Sequence, residues 1–90
     1  MTLADAVDSF TEWSAPWTFR KSIREKLASE PEQIARFEAL VSEASRFEHW
    51  NAGDLELGCK IAHTATKKKF PDVDDRVIGP IVRAASYDWK

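Results

Sequence analysis

The sequence predicts an all-α fold, a small single-domain bundle of four to five short helices over residues 1–90. Apolar residues recur three and four positions apart in successive segments, which is the spacing of one helix face. Proline and glycine lie between these segments, and both residues end helices. One run alternates as a strand would, but no second run alternates and could pair with it.

Two predicted helices meet at Pro16. The apolar face of the first consists of Leu3, Ala6, Val7, Phe10 and Trp13. We expect Thr2 to cap this helix, because its hydroxyl can accept a free backbone N–H of the first turn. Pro16 has no backbone N–H and disfavours helical dihedral angles at Ala15, so the helix ends there. The second helix is predicted to direct three apolar side chains toward the core: Phe19, Ile23 and Leu27.

The third predicted helix has the strongest start signal and the most regular apolar face. Ser29 and Glu32 have the spacing of a capping box, in which each side chain accepts the other's backbone N–H, and Pro31 between them tolerates an early helical position. The apolar face is formed by Ile34, Phe37, Leu40, Val41, Ala44 and Phe47. We expect this helix to run to about His49 or Trp50.

The stretch from Asp54 to Phe70 is compatible with two structures. Its apolar residues alternate with polar ones as in a half-buried strand: Leu55, Leu57, Cys59 and Ile61. At helical spacing it shows a stripe of mostly small residues: Leu55, Gly58, Cys59, Ala62, Ala65 and Thr66. We prefer the helix, since a lone strand has no partner and since Asn51 and Asp54 can supply a cap and a first-turn acid. Leu57 and Ile61 are expected to flank the contact made by the small residues.

The last predicted helix is opened by Asp72 and Asp75 after the break at Phe70-Pro71. Its inner face consists of Val73, Val77, Ile81 and Ala84 or Ala85. Gly79-Pro80 falls in the middle of this pattern. The helix is therefore predicted either to kink at this pair or to restart there, with Pro80 in the first position of a new helix.

Composition and charge exclude several classes of protein. Thirteen basic and fifteen acidic residues leave a net charge of −2, so no overall field attracts the chain to nucleic acid or anionic lipid. No apolar run is long enough to span a membrane, and the first residues lack the basic start and apolar core of a secretory signal. The single cysteine, Cys59, excludes an internal disulfide framework. We expect a cytoplasmic protein without membrane contact.

Metal, calcium and catalytic motifs are incomplete. Cys59 and His63 are four residues apart and share a helix face, but a zinc site needs at least three protein ligands and the only other histidine is His49. The same pair resembles a nucleophile and its base, yet no third orienting group can be named from the sequence. Asp72–Asp75 lacks the glycine and the glutamate of a calcium loop. We therefore predict no enzyme activity, no metal, no cofactor and no catalytic residue.

Two clusters of basic residues suggest contacts with phosphates. They are Arg20, Lys21, Arg24 and Lys26 on the second helix, and Lys67, Lys68 and Lys69 before Phe70. Lysines at the end of a helix are also favoured by its dipole, and no nucleic-acid recognition motif is visible in the chain. A solvated helix end is the first interpretation of the lysine run. A small nucleic-acid-associated protein is the alternative function.

Four tryptophans lie at the ends of predicted helices: Trp13, Trp17, Trp50 and Trp89. An indole has a large apolar face and one N–H donor, so it suits a rim where one edge stays in water or meets a partner. We predict that at least one of the four is substantially exposed. The sequence thus favours a non-enzymatic protein-interaction or regulatory module that uses these indoles to contact another protein or a second copy of itself.

Overall fold

The computed structural model describes residues 2–51 and 53–88 and contains six α-helices within them. The helices are α1 (Leu3–Asp8), α2 (Phe19–Lys26), α3 (Pro31–Ala44), α4 (Phe47–Trp50), α5 (Leu55–Lys69) and α6 (Asp75–Asp88), and a 3₁₀ turn (Pro16–Thr18) precedes α2. No strand occurs in the described residues. The all-α prediction is confirmed, although the number of helices exceeds the predicted four to five.

Helix α1 is shorter than predicted. The Thr2 hydroxyl accepts a backbone N–H of the first turn at 3.2 Å, which confirms the predicted cap. The helix ends at Asp8 and does not reach Trp13. The Ser9 hydroxyl donates to the carbonyl of Ala6 at 2.8 Å, and such local side-chain bonds favour turns over continued helix.

The predicted capping box at the start of α3 is wrong. Pro31 is the first helical residue, so Glu30 takes the N-cap position and its side chain makes no capping hydrogen bond. Ser29 therefore lies one residue too early to cap the helix, and it is exposed. The fixed dihedral angle of proline at the first position sets this register.

Helix α3 ends at Ala44 and does not continue to Trp50 as predicted. Arg46 has extended backbone angles (φ −61°, ψ 132°), after which α4 turns back. The Trp50 indole N–H donates to the carbonyl of Ala44 at 2.9 Å, and His49 Nε2 lies 2.8 Å from Glu43 Oε2. The last carbonyls of a helix lack partners within it, so the Trp50 bond satisfies one of them and joins the two helices.

Residues 55–69 form α5, which confirms the helix and rejects the strand. The Asp54 carboxylate caps it by accepting backbone N–H groups of the first turn at 2.9 and 3.4 Å. Members of the predicted stripe are buried, namely Gly58, Ala62 and Thr66. Leu57 and Ile61 do not flank this contact as expected, because they lie on the outer face with 44% and 36% of their surface exposed.

Helix α6 continues through Gly79-Pro80, so the predicted restart does not occur. It begins at Asp75, and the Asp74 carboxylate accepts the backbone N–H of Arg76 at 2.8 Å. Val73, which precedes the helix, is buried. The inner face of α6 is also buried and consists of Val77, Ile78, Ile81, Val82 and Ala85. The free energy gained by burying this face offsets the cost of the backbone hydrogen bond that Pro80 cannot donate.

The core is formed by buried side chains of α1, α2, α3, α5 and α6. Its largest fully buried apolar side chains include Phe19, Ile23, Leu27, Phe37, Leu40, Ile78 and Ile81. Helix α5 packs against α3, α4 and α6 from one side. The radius of gyration, 12.4 Å, is close to the value of about 12 Å for a compact chain of this length. Within residues 2–51 and 53–88, no helix has the length and apolar character needed to cross a bilayer.

Candidate functional site

Three aromatic rings fix the segment between α1 and α2. The Phe10 ring meets the edge of Trp13 at a centroid distance of 4.9 Å and the edge of Phe19 at 5.0 Å. The rings of Trp13 and Phe19 stack with centroids 5.6 Å apart. Phe10 and Phe19 are buried while Trp13 is half-buried, so this cluster attaches an irregular segment to the core.

The 3₁₀ turn that follows places Trp17 in solvent. The Thr18 hydroxyl donates to the carbonyl of Ala15 at 2.7 Å and closes the turn. Trp17 is 77% exposed. It borders a cavity of 350 Å³, which we call the aromatic pocket and which is lined by Trp13, Ser14, Pro16, Trp17, Ala84 and Tyr87. The pocket therefore lies between the turn and the C-terminal half of α6.

A positive charge lies beside the aromatic pocket. The Arg83 guanidinium carbon is 4.2 Å from the centroid of the Trp13 ring, within the range of a cation–π interaction. Arg83 and the two phenylalanines thus all contact Trp13. Arg83 was not among the candidate residues, because its position over the ring depends on the packing of α6 against the first segment.

The tryptophans predicted as a contact surface have different environments. Trp17 is exposed, which confirms that at least one indole faces solvent, and Trp13 borders the same pocket. Trp50 is 8% exposed and its N–H is bonded within the protein, so we remove it from the predicted surface. Trp89 lies outside the described residues.

A second cavity lies between α5 and α6 and has a volume of 450 Å³; we call it the α5–α6 groove. It is lined by Cys59, Lys60, His63, Thr64, Gly79, Val82, Arg83 and Ser86. The sequence placed Cys59 and His63 on one face of a helix, and both line this groove. The contribution of α6 was not foreseen, since nothing in the sequence indicates which helix packs beside them.

The imidazole of His63 has a partner from another helix. His63 Nε2 lies 3.1 Å from Asp75 Oδ1, a partner that could not be named from the sequence. Cys59 is half-buried in the same groove. Within the described part of the chain, no three histidine, cysteine or acidic side chains are placed to hold one metal ion. The groove thus brings a thiol, an imidazole and basic side chains together.

Most of the basic residues on α2 contact other parts of the protein. The partners are Ser45 for Arg20, Glu38 for Arg24 and Ser9 for Lys26. The hydrogen bond from Arg24 and its charge hold the pKa of the Glu38 carboxyl below its ordinary value. Lys21 is exposed. This cluster therefore joins α2 to its neighbours and offers fewer free charges than the sequence suggests.

The lysine run at the end of α5 is largely exposed, as the first interpretation expects, but two of its side chains also have partners within the fold. Lys67 Nζ donates to the carbonyl of Val73 at 2.7 Å, and Lys69 Nζ lies 3.3 Å from Glu43 Oε1. Lys68 is exposed. Two of the three lysines therefore attach the end of α5 to other elements.

Glu43 is a buried carboxylate that sequence analysis did not identify. It occupies a position on the buried side of α3 and is 5% exposed. Burial by itself raises the pKa of Glu43, but hydrogen bonds from His49 and Lys69 and the charge of Arg46 outweigh it and hold that pKa below its ordinary value. The pattern of apolar residues gave no signal for this cluster, because its basic members come from three different segments.

These contacts define two cavities and one buried charge cluster. Arg83 lines the α5–α6 groove and contacts Trp13 beside the aromatic pocket. The Glu43 cluster lies at the end of α3. Comparison with protein families, with curated proteins and with solved structures found no match for this chain.

Proposed function

We propose that this chain is a non-enzymatic protein-interaction module and that its contact surface is the aromatic pocket. The observation that carries the proposal is the position of Trp17, which is 77% exposed while it borders a 350 Å³ cavity together with Trp13 and Tyr87. Tryptophan dominates many interfaces because burying it removes a large apolar area from water and leaves one N–H donor for the partner.

The walls of the aromatic pocket are already positioned. Trp13 is held by the rings of Phe10 and Phe19 and by the guanidinium of Arg83. A partner that inserts a side chain beside Trp13 would not have to order this ring on binding. Preorganisation of this kind lowers the entropic cost of association, which supports a binding role for the pocket.

The partner is either another protein or a second copy of this chain. A second copy would give an oligomer whose population rises with concentration and falls when Trp17 is replaced. Sedimentation of the wild type and of Trp17→Ala over a range of concentrations separates the two cases. A monomer at all concentrations excludes a second copy of this chain as the partner.

Affinity capture from the cells that produce the protein tests the proposal. We expect Trp17→Ala to lose a protein partner that the wild type retains. Leu57→Ala is the matched control, because Leu57 is also a large exposed apolar side chain but lies on α5 away from the pocket. If wild type, Trp17→Ala and Leu57→Ala capture the same proteins in the same amounts, the proposal is wrong.

A further inference from the structure

The α5–α6 groove has the length of a short helical ligand. Residues 59–64 of α5 and residues 79–86 of α6 line its two sides. At a rise of 1.5 Å per residue, the lining segment of α6 extends about 10 Å, or two helical turns. Grooves between two helices are a common site for a third amphipathic helix.

The side chains at the edges of the groove are basic. Lys60 and His63 belong to α5, and Arg83 belongs to α6. None of the residues that line the groove has a carboxylate. Two acids outside the lining pair with these side chains: Glu56 Oε1 is 3.9 Å from Lys60 Nζ and Asp75 Oδ1 is 3.1 Å from His63 Nε2. Both acids are exposed, so these pairs are weak and can yield to a bound anion.

The floor of the groove is apolar and has room for side chains. A Cβ atom built on Gly79 would meet no atom within 4 Å. Val82 and Cys59 also line the groove. An occupant that matches both floor and edges therefore needs apolar side chains on one face and carboxylates beside them.

We propose that the α5–α6 groove binds an acidic amphipathic helix of a partner protein. Its apolar side chains would lie on Gly79 and Val82, and its carboxylates would pair with Lys60 of α5. On the α6 side the positive charge comes from Arg83, whose guanidinium also contacts the Trp13 ring. This site is separate from the aromatic pocket, although Arg83 borders both, so the proposal goes beyond the contact surface around Trp17.

The chemistry of the groove favours a peptide over a nucleic acid. Nucleic-acid strands are bound by stacking of bases on aromatic side chains together with contacts to phosphates. No aromatic residue lines the groove.

Fluorescence anisotropy on the full chain tests the proposal. The probe is a fluorescein-labelled helical peptide of about four turns, with leucine on one face and glutamate elsewhere. We expect saturable binding that weakens with added salt, and at least tenfold weaker binding of a peptide in which lysine replaces glutamate. Absence of saturable binding, or equal binding of the two peptides, would overturn the proposal. Displacement of the acidic peptide by a single-stranded oligonucleotide would overturn it as well.

Two variants locate the peptide on the protein. Gly79→Leu fills the open floor, and we expect it to weaken peptide binding at least tenfold while circular dichroism shows an intact helical fold. Lys60→Glu should have a similar effect. Lys68→Glu is its matched control, since it makes the same charge change on the same helix outside the groove, and we expect less than a twofold effect. If Lys60→Glu and Lys68→Glu weaken peptide binding equally, binding depends only on the overall charge of the protein. The proposed groove site would then be wrong.

The same measurement separates this proposal from the proposed function. Trp17→Ala should bind the acidic peptide as the wild type does, because Trp17 does not line the groove. Loss of peptide binding in Trp17→Ala would assign the peptide to the aromatic pocket and would overturn the groove site. If a partner is captured through Trp17 but no acidic peptide binds, the groove site is wrong and the proposed function is unaffected.

Discussion

Phe37 is the aromatic side chain at the centre of the core. It has no exposed surface, and its ring lies 5.9 Å from that of Phe19, centroid to centroid. Truncation to alanine removes a buried ring and leaves a cavity that neighbouring helices fill only in part. We expect Phe37→Ala to lower the free energy of unfolding by about 3–5 kcal/mol, measured by chemical denaturation. A value within half a kcal/mol of the wild type would contradict the assignment of Phe37 to the core.

Helix caps provide a second test at single residues. Asp54 accepts two backbone N–H groups at the start of α5, so Asp54→Ala should cost about 1 kcal/mol of unfolding free energy. Ser29 is exposed and does not cap α3, so Ser29→Ala should change stability by no more than a few tenths of a kcal/mol. Denaturation of the two variants side by side checks both values. A cost for Ser29→Ala as large as for Asp54→Ala would restore the capping box.

The buried carboxylate Glu43 should make stability depend on pH. Its pKa is held below the ordinary value of 4.5 in the folded protein, so its ionised form is more favourable there than in the unfolded chain. This contribution is fully present above the unfolded pKa of about 4.5 and is lost as pH falls through the lower folded pKa. We expect Glu43→Gln to be less stable than the wild type at pH 7 because it loses the ion pairs with Arg46 and Lys69 and changes the hydrogen bond with His49.

Denaturation of wild type and Glu43→Gln between pH 7 and pH 3 checks this expectation. The difference in unfolding free energy should stay constant down to about pH 5 and then shrink. Glu56→Gln is the control, because Glu56 is exposed and its only described ion pair is the 3.9 Å contact with Lys60. A difference that grows as the pH falls would contradict the lowered pKa of Glu43.

At the scale of the elements, the contact between α4 and α5 depends on a glycine. A Cβ atom at Gly58 would lie 2.5 Å from Trp50 Cε3 and 3.4 Å from the carbonyl oxygen of His49. The indole cannot move away easily, since it is buried and bonded to Ala44. Only a residue without a side chain lets the two helices approach this closely.

Alanine substitutions at the two helical glycines should therefore have different effects. Gly58→Ala should lower the free energy of unfolding, because the new methyl group overpacks Trp50, with a cost of about 1–3 kcal/mol. Gly79→Ala places its methyl group where no atom beyond its chain neighbours lies within 4 Å, but the ring of Pro80 disfavours a helical alanine before it, so the gain from helix propensity is offset and stability should change by less than about 1 kcal/mol. Thermal and chemical denaturation of both variants provide the measurement. Stabilisation by Gly58→Ala would contradict the close approach of α4 and α5.

At the scale of the whole molecule, several of the basic residues have partners within the fold while remaining partly exposed. Lys67 and Lys69 contact Val73 and Glu43, and Arg24 contacts Glu38. Charges held in such contacts are less available to phosphates. Together with a net charge of −2, this arrangement counts against the alternative of nucleic-acid binding.

A gel-shift assay at low salt tests that alternative. We expect no tight complex with nucleic acid for the wild type, and no change when Lys67, Lys68 and Lys69 are all replaced by glutamine. The triple variant should nevertheless be less stable, because it loses the contacts of Lys67 and Lys69, while Lys68→Gln alone should be neutral. Tight binding by the wild type that the triple variant loses would establish the nucleic-acid function in place of the proposed one.

Local features of the sequence were sufficient to predict the helical class and several details of it. The apolar spacing identified Phe19, Ile23, Leu27 and Phe37 as core residues, because a helix must bury one face whatever it packs against. The caps by Thr2 and Asp54 were also predictable, since each depends on a side chain and N–H groups within the next few residues. Exposure of at least one indole followed from the position of the tryptophans at the ends of helices.

Tertiary structure alone decided where helices stop and which surfaces remain open. The end of α3 at Ala44 requires Trp50 to fold back and satisfy its carbonyl, and the path of α6 through Pro80 requires a buried face on that helix. The aromatic pocket and the α5–α6 groove each combine residues distant in the sequence, with α6 present in both. Periodicity determines which face of a helix is buried, but the choice of neighbour depends on how all the helices pack together, and that choice creates the cavities.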